Sequence, residues 1–244
     1  MVVTRTTELN TLLFLVRNKA EVERTLGPGA TFVTIMRDPV DLFESLWGYA
    51  ALGKYYGTDL ETFALAEKKG KLSTRAYRNL GRNQMLWDSG LEAAQMNNLT
   101  AVQQKIFELD RTFDLVMMAD RFDESMILMK DLLCWDYEDV VNFKLNARKE
   151  SKKVGLSEEA RAELKKYLAA DYTLYQHFQE RFEQRIEEFG RARMNQELRI
   201  LRTANEKMKA KCGLEVADND QINGPNKLTG QGRTELGKNL FSRN

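Results

Sequence analysis

Apolar residues recur at helical spacing through residues 11–26, near Leu12, Leu15 and Val22, and the pattern stops at Gly27-Pro28-Gly29. That triplet is a strong turn signal. Next comes Thr31-Phe32-Val33-Thr34-Ile35-Met36, β-branched and apolar, which predicts a buried strand. The strand runs directly into Arg37-Asp38-Pro39. Asp38 suits an N-cap and Pro39 the first helical position, so a helix is predicted through Leu42, Phe43, Leu46, Trp47 and Ala50.

Further along, the tyrosine- and glycine-bearing stretch 53–58 reads as a loop and 59–66 as a short amphipathic piece. Lys68-Lys69-Gly70-Lys71 reads as a basic connection, and residues 77–87 as another helix ending near Ser89-Gly90. Helical periodicity resumes over 100–111, a second strand is predicted over 113–118, and a helix over 122–133. Strand and helix alternate, which favours a parallel sheet flanked by helices, an α/β class. From Ser157 the character changes. Ser157-Glu158-Glu159 opens a helix, and a second long helix is expected from Asp171 to about Lys211, with Tyr175, Phe178, Phe182, Ile186 and Phe189 inward. Residues 1–212 thus form one domain with a helical C-terminal part, and 213–244, rich in Gly, Asn and Lys, read as a disordered tail.

A chain of 244 residues, 43% hydrophobic, is long enough to bury one sizeable core. Its 37 basic and 36 acidic side chains nearly cancel, so no global field steers it onto nucleic acid or an anionic membrane. Any anion site must be local. No segment reaches the ~18 apolar residues of a membrane span, and the start lacks the pattern of a secretory signal. The two cysteines, Cys134 and Cys212, show no metal-ligand spacing, and a single histidine, His177, excludes a His-rich metal centre built from this chain alone.

The chemistry concentrates in Thr34-Ile35-Met36-Arg37-Asp38-Pro39-Val40-Asp41-Leu42-Phe43-Glu44-Ser45. Arg37 leaves the C-terminal edge of a strand, where open α/β sheets place ligands. The next helix aims its N-terminal N–H groups at the same crevice. Ser45 lies two turns into that helix, on the face shared with Asp38, Asp41 and Leu42, and its side chain tilts back toward the helix start. A guanidinium fork and a hydroxyl could then hold one phosphate from two sides. The plainer alternative pairs Arg37 with a carboxylate and leaves Ser45 as a tolerated helix residue.

Arg37 and Ser45, eight residues apart across this turn, resemble the 3′-phosphate-binding element of sulfotransferases. The longer block is similar to the galactose-3-O-sulfotransferase family. So are Arg82-Asn83-Gln84-Met85, Phe122-Asp123-Glu124-Ser125, Leu132-Leu133-Cys134-Trp135 with Glu138-Asp139, Phe143-Lys144-Leu145-Asn146-Ala147-Arg148 and Leu174-Tyr175-Gln176-His177-Phe178. These blocks run in the expected order over about 11–212.

The resemblance implies a P-loop-like sulfotransferase fold and a Golgi enzyme held by an N-terminal membrane anchor. It also implies transfer of sulfonate from 3′-phosphoadenosine 5′-phosphosulfate (PAPS) to the 3-hydroxyl of galactose. Acceptors are then galactose-terminated glycolipids, galactosylceramide first, or glycoproteins. The cofactor site implied is Arg37, Ser45, Lys144 and Arg148. The family's lysine-glycine-threonine loop for the 5′-phosphosulfate, and a histidine and lysine thought to serve catalysis, have no equivalent between Met1 and Gly27. A truncated sequence is the expectation, and its activity and catalytic residues stay open. The rival is a non-catalytic pseudoenzyme or helical interaction module. A P-loop kinase relative is weaker, for want of a Gly-rich Lys-Ser/Thr loop.

Other residues carry two readings each. Lys144 and Arg148 face one anion or form a solvated pair. Arg82 reaches sulfate or sugar, or caps a carboxylate. Trp47, Tyr49, Tyr55 and Tyr56 offer aromatic faces to galactose or pack in the core. His177 reads as a core or interface histidine in preference to a base. Cys134 and Cys212 are reduced core residues, or a disulfide in an oxidising compartment. Asn98-Leu99-Thr100 is a glycosylation sequon if the chain matures in the secretory pathway.

Overall fold

The computed structural model describes residues 2–3, 19–27, 29–67, 81–142 and 155–212. Helix α1 (Lys19–Leu26) ends at Gly27, whose φ of 92° is open to glycine alone without strain. Strand β2 (Thr31–Met36) follows and is paired antiparallel at Phe32 and Thr31 with the two-residue β1 (Val2–Val3). Asp38 then caps helix α2 (Pro39–Tyr49), with Pro39 at its start. The expected loop at 53–58 is instead a short helix, α3 (Leu52–Tyr56), closed by Gly57 at φ 72°. Helix α4 (Leu60–Leu65) begins at its Asp59 cap.

The helix expected over 77–87 is shorter. Gly81, Arg82 and Asn83 form a turn, with Gly81 at φ 85° and Asn83 at φ 47°, and α5 (Gln84–Asp88) starts only after it. Next come α6 (Leu99–Thr112), β3 (Leu115–Met118), α7 (Phe122–Leu133) and α8 (Tyr137–Val140). Helix α9 (Glu158–Tyr167) is capped by Ser157. The single long helix expected after it is two, α10 (Ala169–Phe189) and α11 (Arg191–Lys211), broken at Gly190 with φ 93°. Glycine interrupts a pattern whose apolar spacing continues across it. The expected tail, 213–244, lies outside the described residues.

The fold is mostly helical around a small parallel pair. β2 and β3 run in register from Val33↔Leu115 to Met36↔Met118. Side chains close the ladder at both ends. Asp114 exchanges bonds with Phe32, accepting its N–H (2.7 Å) on the carboxylate and donating its own N–H to the Phe32 carbonyl (2.8 Å). At the other end, the buried Ser125 hydroxyl accepts from the Met118 N–H (2.9 Å) and donates to the Met118 carbonyl (3.1 Å).

Two apolar cores meet at the strand-to-helix turn. One gathers the strands with α7, α10 and α11 through residues such as Val33, Met118, Ile127, Leu174 and Phe182. The other joins α2, α3, α4 and α9 through Val40, Phe43, Leu52, Phe63 and Leu164. Tyr172 near the start of α10 reaches the carboxyl end of β2, whereas Arg185 near its end reaches the Asp114 carbonyl before β3. Helix α10 therefore runs antiparallel to the strands, spanning from one sheet edge to the other.

Two predictions follow from this packing. A Cβ at Gly81 would lie 3.0 Å from the Phe43 ring in a left-handed backbone conformation, so Gly81→Ala should cost about 1–3 kcal/mol in thermal unfolding. An unchanged melting temperature would show that the ring yields. Asp171, 1% exposed, accepts the Met85 and Leu86 N–H groups (both 3.0 Å) and donates its own N–H to Asn83 Oδ1 (3.1 Å). Burial pushes its carboxyl up from 3.8 to about 7, against the pull of those two donors and with a further push from Asp88. The folded chain thus keeps a proton that the unfolded chain releases. This group's stabilisation is whole below about pH 4 and is lost as pH rises through about 7. Unfolding midpoints across that window should fall less steeply in Asp171→Asn than in wild type, and parallel profiles would contradict the assignment.

Candidate functional site

The candidate site is the turn at residues 37–38 and the first turns of α2. It forms because β2 commits Val33 and Met36 to one core and α2 commits Val40 and Phe43 to the other. The polar turn is left at the seam. Arg37, the first residue beyond β2, is exposed, and among the described residues nothing pairs with it. The alternative that it pairs with a carboxylate is not realised among those residues. Ser45 is half-buried on the second turn of α2 and engages other residues.

The donors at the start of α2 are not open to a ligand, contrary to the expectation. Asp38 takes two of them for itself, accepting from the N–H groups of Val40 (2.9 Å) and Asp41 (3.1 Å). Its carboxylate also accepts the Tyr172 hydroxyl (2.9 Å). Burial of Tyr172 and the Asp38 carboxylate beside it both push the phenol well above its usual range, so Tyr172 is a hydrogen-bond donor at any physiological pH. Beside it, Asp41 pairs with Arg161 of α9 (2.8 Å). The same arrangement recurs after β3, where Tyr175 donates to Asp120 (3.0 Å). Three carboxylates, Asp38, Asp41 and Asp120, therefore sit near the carboxyl edge of the strands.

The remaining candidates have other surroundings. Trp47 stacks on Tyr56 (5.5 Å, 10°) and packs against Phe63 (4.9 Å) in the second core. Tyr55 meets Tyr56 edge-on (5.0 Å), and its hydroxyl is buried with no hydrogen-bond partner among the described residues. Among the described residues Arg82 caps no carboxylate. It donates to the Tyr167 carbonyl (3.3 Å) and to Asn97 (3.0 Å), and its guanidinium lies over the Tyr167 ring (5.1 Å). His177 sits 3.6 Å from Asp110 and edge-on to Phe178. Lys144 and Arg148 lie outside the described residues.

Asn98 is exposed and caps α6 by accepting from Thr100 (3.0 Å) and Ala101 (3.3 Å). Cys134 and Cys212 are both exposed free thiols, at the ends of α7 and α11. They are neither buried core residues nor bonded to each other, because each is the C-cap of its helix and points to the surface. Among the described residues no helix is long and apolar enough to cross a membrane.

The residues that brace the turn, Arg161, Tyr172, Tyr175 and Asp171, do not stand out from local sequence. Asp171 alone leaves a trace. It falls on the same helical stripe as Leu174, Tyr175 and Phe178, where a carboxylate is out of place unless it has partners.

Comparison with known proteins decides the family. The family model described as galactose-3-O-sulfotransferase matches residues 3–227. The chain belongs to the galactose-3-O-sulfotransferase family. It is 39% identical over 198 residues to galactosylceramide sulfotransferase of Bos taurus, covering 79% of this chain and 47% of that protein. The Homo sapiens protein of the same name is 37% identical over the same shares, and galactose-3-O-sulfotransferase 3 of Mus musculus is 34% identical over 203 residues, 80% of this chain and 47% of that protein. The chain thus spans about half the length of the curated relatives it matches. No solved structure matches it.

Proposed function

We propose that this chain carries the 3′-phosphate grip of a PAPS-dependent sulfotransferase acting on the 3-hydroxyl of galactose, with galactosylceramide as the first acceptor to test. The observation that carries the proposal is Arg37: an exposed guanidinium at the carboxyl end of β2, with no partner among the described residues, in a chain of this family. A fork of that kind fits a phosphate dianion in charge and geometry. Because Asp38 occupies the first N–H donors of α2, the grip rests on Arg37 and Ser45, not on the helix end. Lys144 and Arg148 are proposed as further phosphate contacts.

When bound, PAPS would supply the sulfonate: the bond from sulfur to the phosphate oxygen breaks as the bond to the galactose 3-oxygen forms, adenosine 3′,5′-bisphosphate leaves, and the hydroxyl proton passes to a base. The residues here hold the adenylate end during that step. A lumenal Golgi setting and a P-loop-like arrangement of the complete sheet belong to the same proposal, and with them a glycan on Asn98. A second reading, a non-catalytic module that keeps the grip, is favoured by the place of His177. The chain's one histidine faces Asp110 next to the amino end of β3 and not the carboxyl edge.

Adenosine 3′,5′-bisphosphate should raise the melting temperature, by an amount corresponding to about 2.7 kcal/mol at a hundredfold excess over Kd. Arg37→Ala should weaken binding by roughly 10- to 100-fold. No shift in wild type, or an undiminished one in Arg37→Ala, contradicts the proposal. Sulfonate transfer to galactosylceramide separates enzyme from module.

A further inference from the structure

An anion site at this turn faces an electrostatic problem. Asp38 and Asp41 lie within the first residues after Arg37, Asp120 stands at the end of the neighbouring strand, and Glu44 lies farther along α2. Arg37 alone does not offset them. Uncompensated carboxylates beside the binding point repel a phosphate dianion, most strongly at low salt, where counterions screen them least.

Other elements answer these charges. Arg161 Nη2 of α9 is 2.8 Å from Asp41 Oδ1. Tyr172 of α10 points its hydroxyl between both oxygens of Asp38, at 2.9 and 3.0 Å. Tyr175, one turn on, donates to Asp120 at 3.0 Å. Lys165 adds a further cation, its amine 5.9 Å from the centre of the Tyr172 ring. Arg121, another cation among the described residues near that edge, is held by Glu124 and Glu183. The Arg161–Asp41 pair is about one-third to two-fifths exposed, at 32% and 43%. A pair that open contributes little to folding, and its placement needs another reason.

We propose that Arg161 and Tyr172 are positioning residues, Arg161 offsetting the charge of Asp41 and Tyr172 holding the Asp38 carboxylate by its hydroxyl, so that the turn carrying Arg37 accepts a phosphate. The proposal rests on the reading of Arg37 and Ser45 as the 3′-phosphate grip. Asp38 must stay, because it caps α2 and fixes where β2 hands over to the helix. Its carboxylate is held by the Tyr172 hydroxyl, and the neighbouring Asp41 by the Arg161 guanidinium.

The test measures the affinity of the full chain for adenosine 3′,5′-bisphosphate by calorimetry, at low and at high salt, with unliganded melting temperatures alongside. Arg161→Ala should bind about tenfold more weakly at low salt, a gap that narrows as salt screens the exposed carboxylate. Asp41→Asn breaks the same ion pair but removes the offending charge, so it should bind as tightly as wild type or more tightly. The double variant Arg161→Ala/Asp41→Asn should return to within about twofold of wild type. Tyr172→Phe should lose roughly fivefold, the worth of one hydroxyl donor.

Equal losses in Arg161→Ala and Asp41→Asn would mean that the ion pair merely holds α2 to α9, and would overturn the proposal. A loss in Arg161→Ala that persists in the Asp41→Asn background would place Arg161 on the phosphate itself and overturn it too. Arg37→Ala binding like wild type would remove the grip, and with it the need for compensation.

Discussion

The Asp38 carboxylate is the point on which the site depends. It accepts two backbone N–H groups of α2 and a hydroxyl from α10, so one side chain fixes the end of β2, the start of α2 and the position of α10. A buried or half-buried carboxylate is stable only with such partners. Without them the turn that follows Arg37 would lose its cap.

The rest of the architecture keeps that point in place. Two cores press on the turn from either side, and α10 joins them, beginning beside Leu168 of the second core and running on through Leu174, Phe178 and Phe182 of the first. Its first turn is pinned independently by Asp171, whose carboxylate takes the opening N–H groups of α5. Tyr172 and Tyr175 therefore reach the carboxyl edge from a helix anchored by burial, and each meets one strand's terminal aspartate. An exposed cation at that edge, next to charges already answered by their own partners, suits a ligand that brings a negative charge of its own.

Where local signals and long-range packing agreed, the sequence alone was enough. Residues 31–36 are a strand because β-branched and apolar residues run unbroken between a glycine turn and a capping aspartate, and α2 begins where Asp38 and Pro39 place it. The α/β alternation held only in part, since among the described residues just two strands pair in parallel beside many helices. Residues 53–58 carry glycines at both ends, yet Leu52 and Tyr56 bury deeply enough to wind the interval into α3. Gly190 escaped notice because apolar spacing continues from Ile186 to Met194 across it, and only its positive φ divides α10 from α11. The bracing of the site was hidden for a different reason. Arg161 answers Asp41 across 120 positions and Tyr172 answers Asp38 across 134, distances over which local pattern carries no information.

The most direct measurement of the central claim is a crystal structure of the chain with adenosine 3′,5′-bisphosphate bound. The account predicts the 3′-phosphate within hydrogen-bonding reach of both the Arg37 guanidinium and the Ser45 hydroxyl, with Tyr172 still donating to Asp38. A nucleotide bound elsewhere, or Arg37 and Ser45 opening onto separate surfaces, would contradict it.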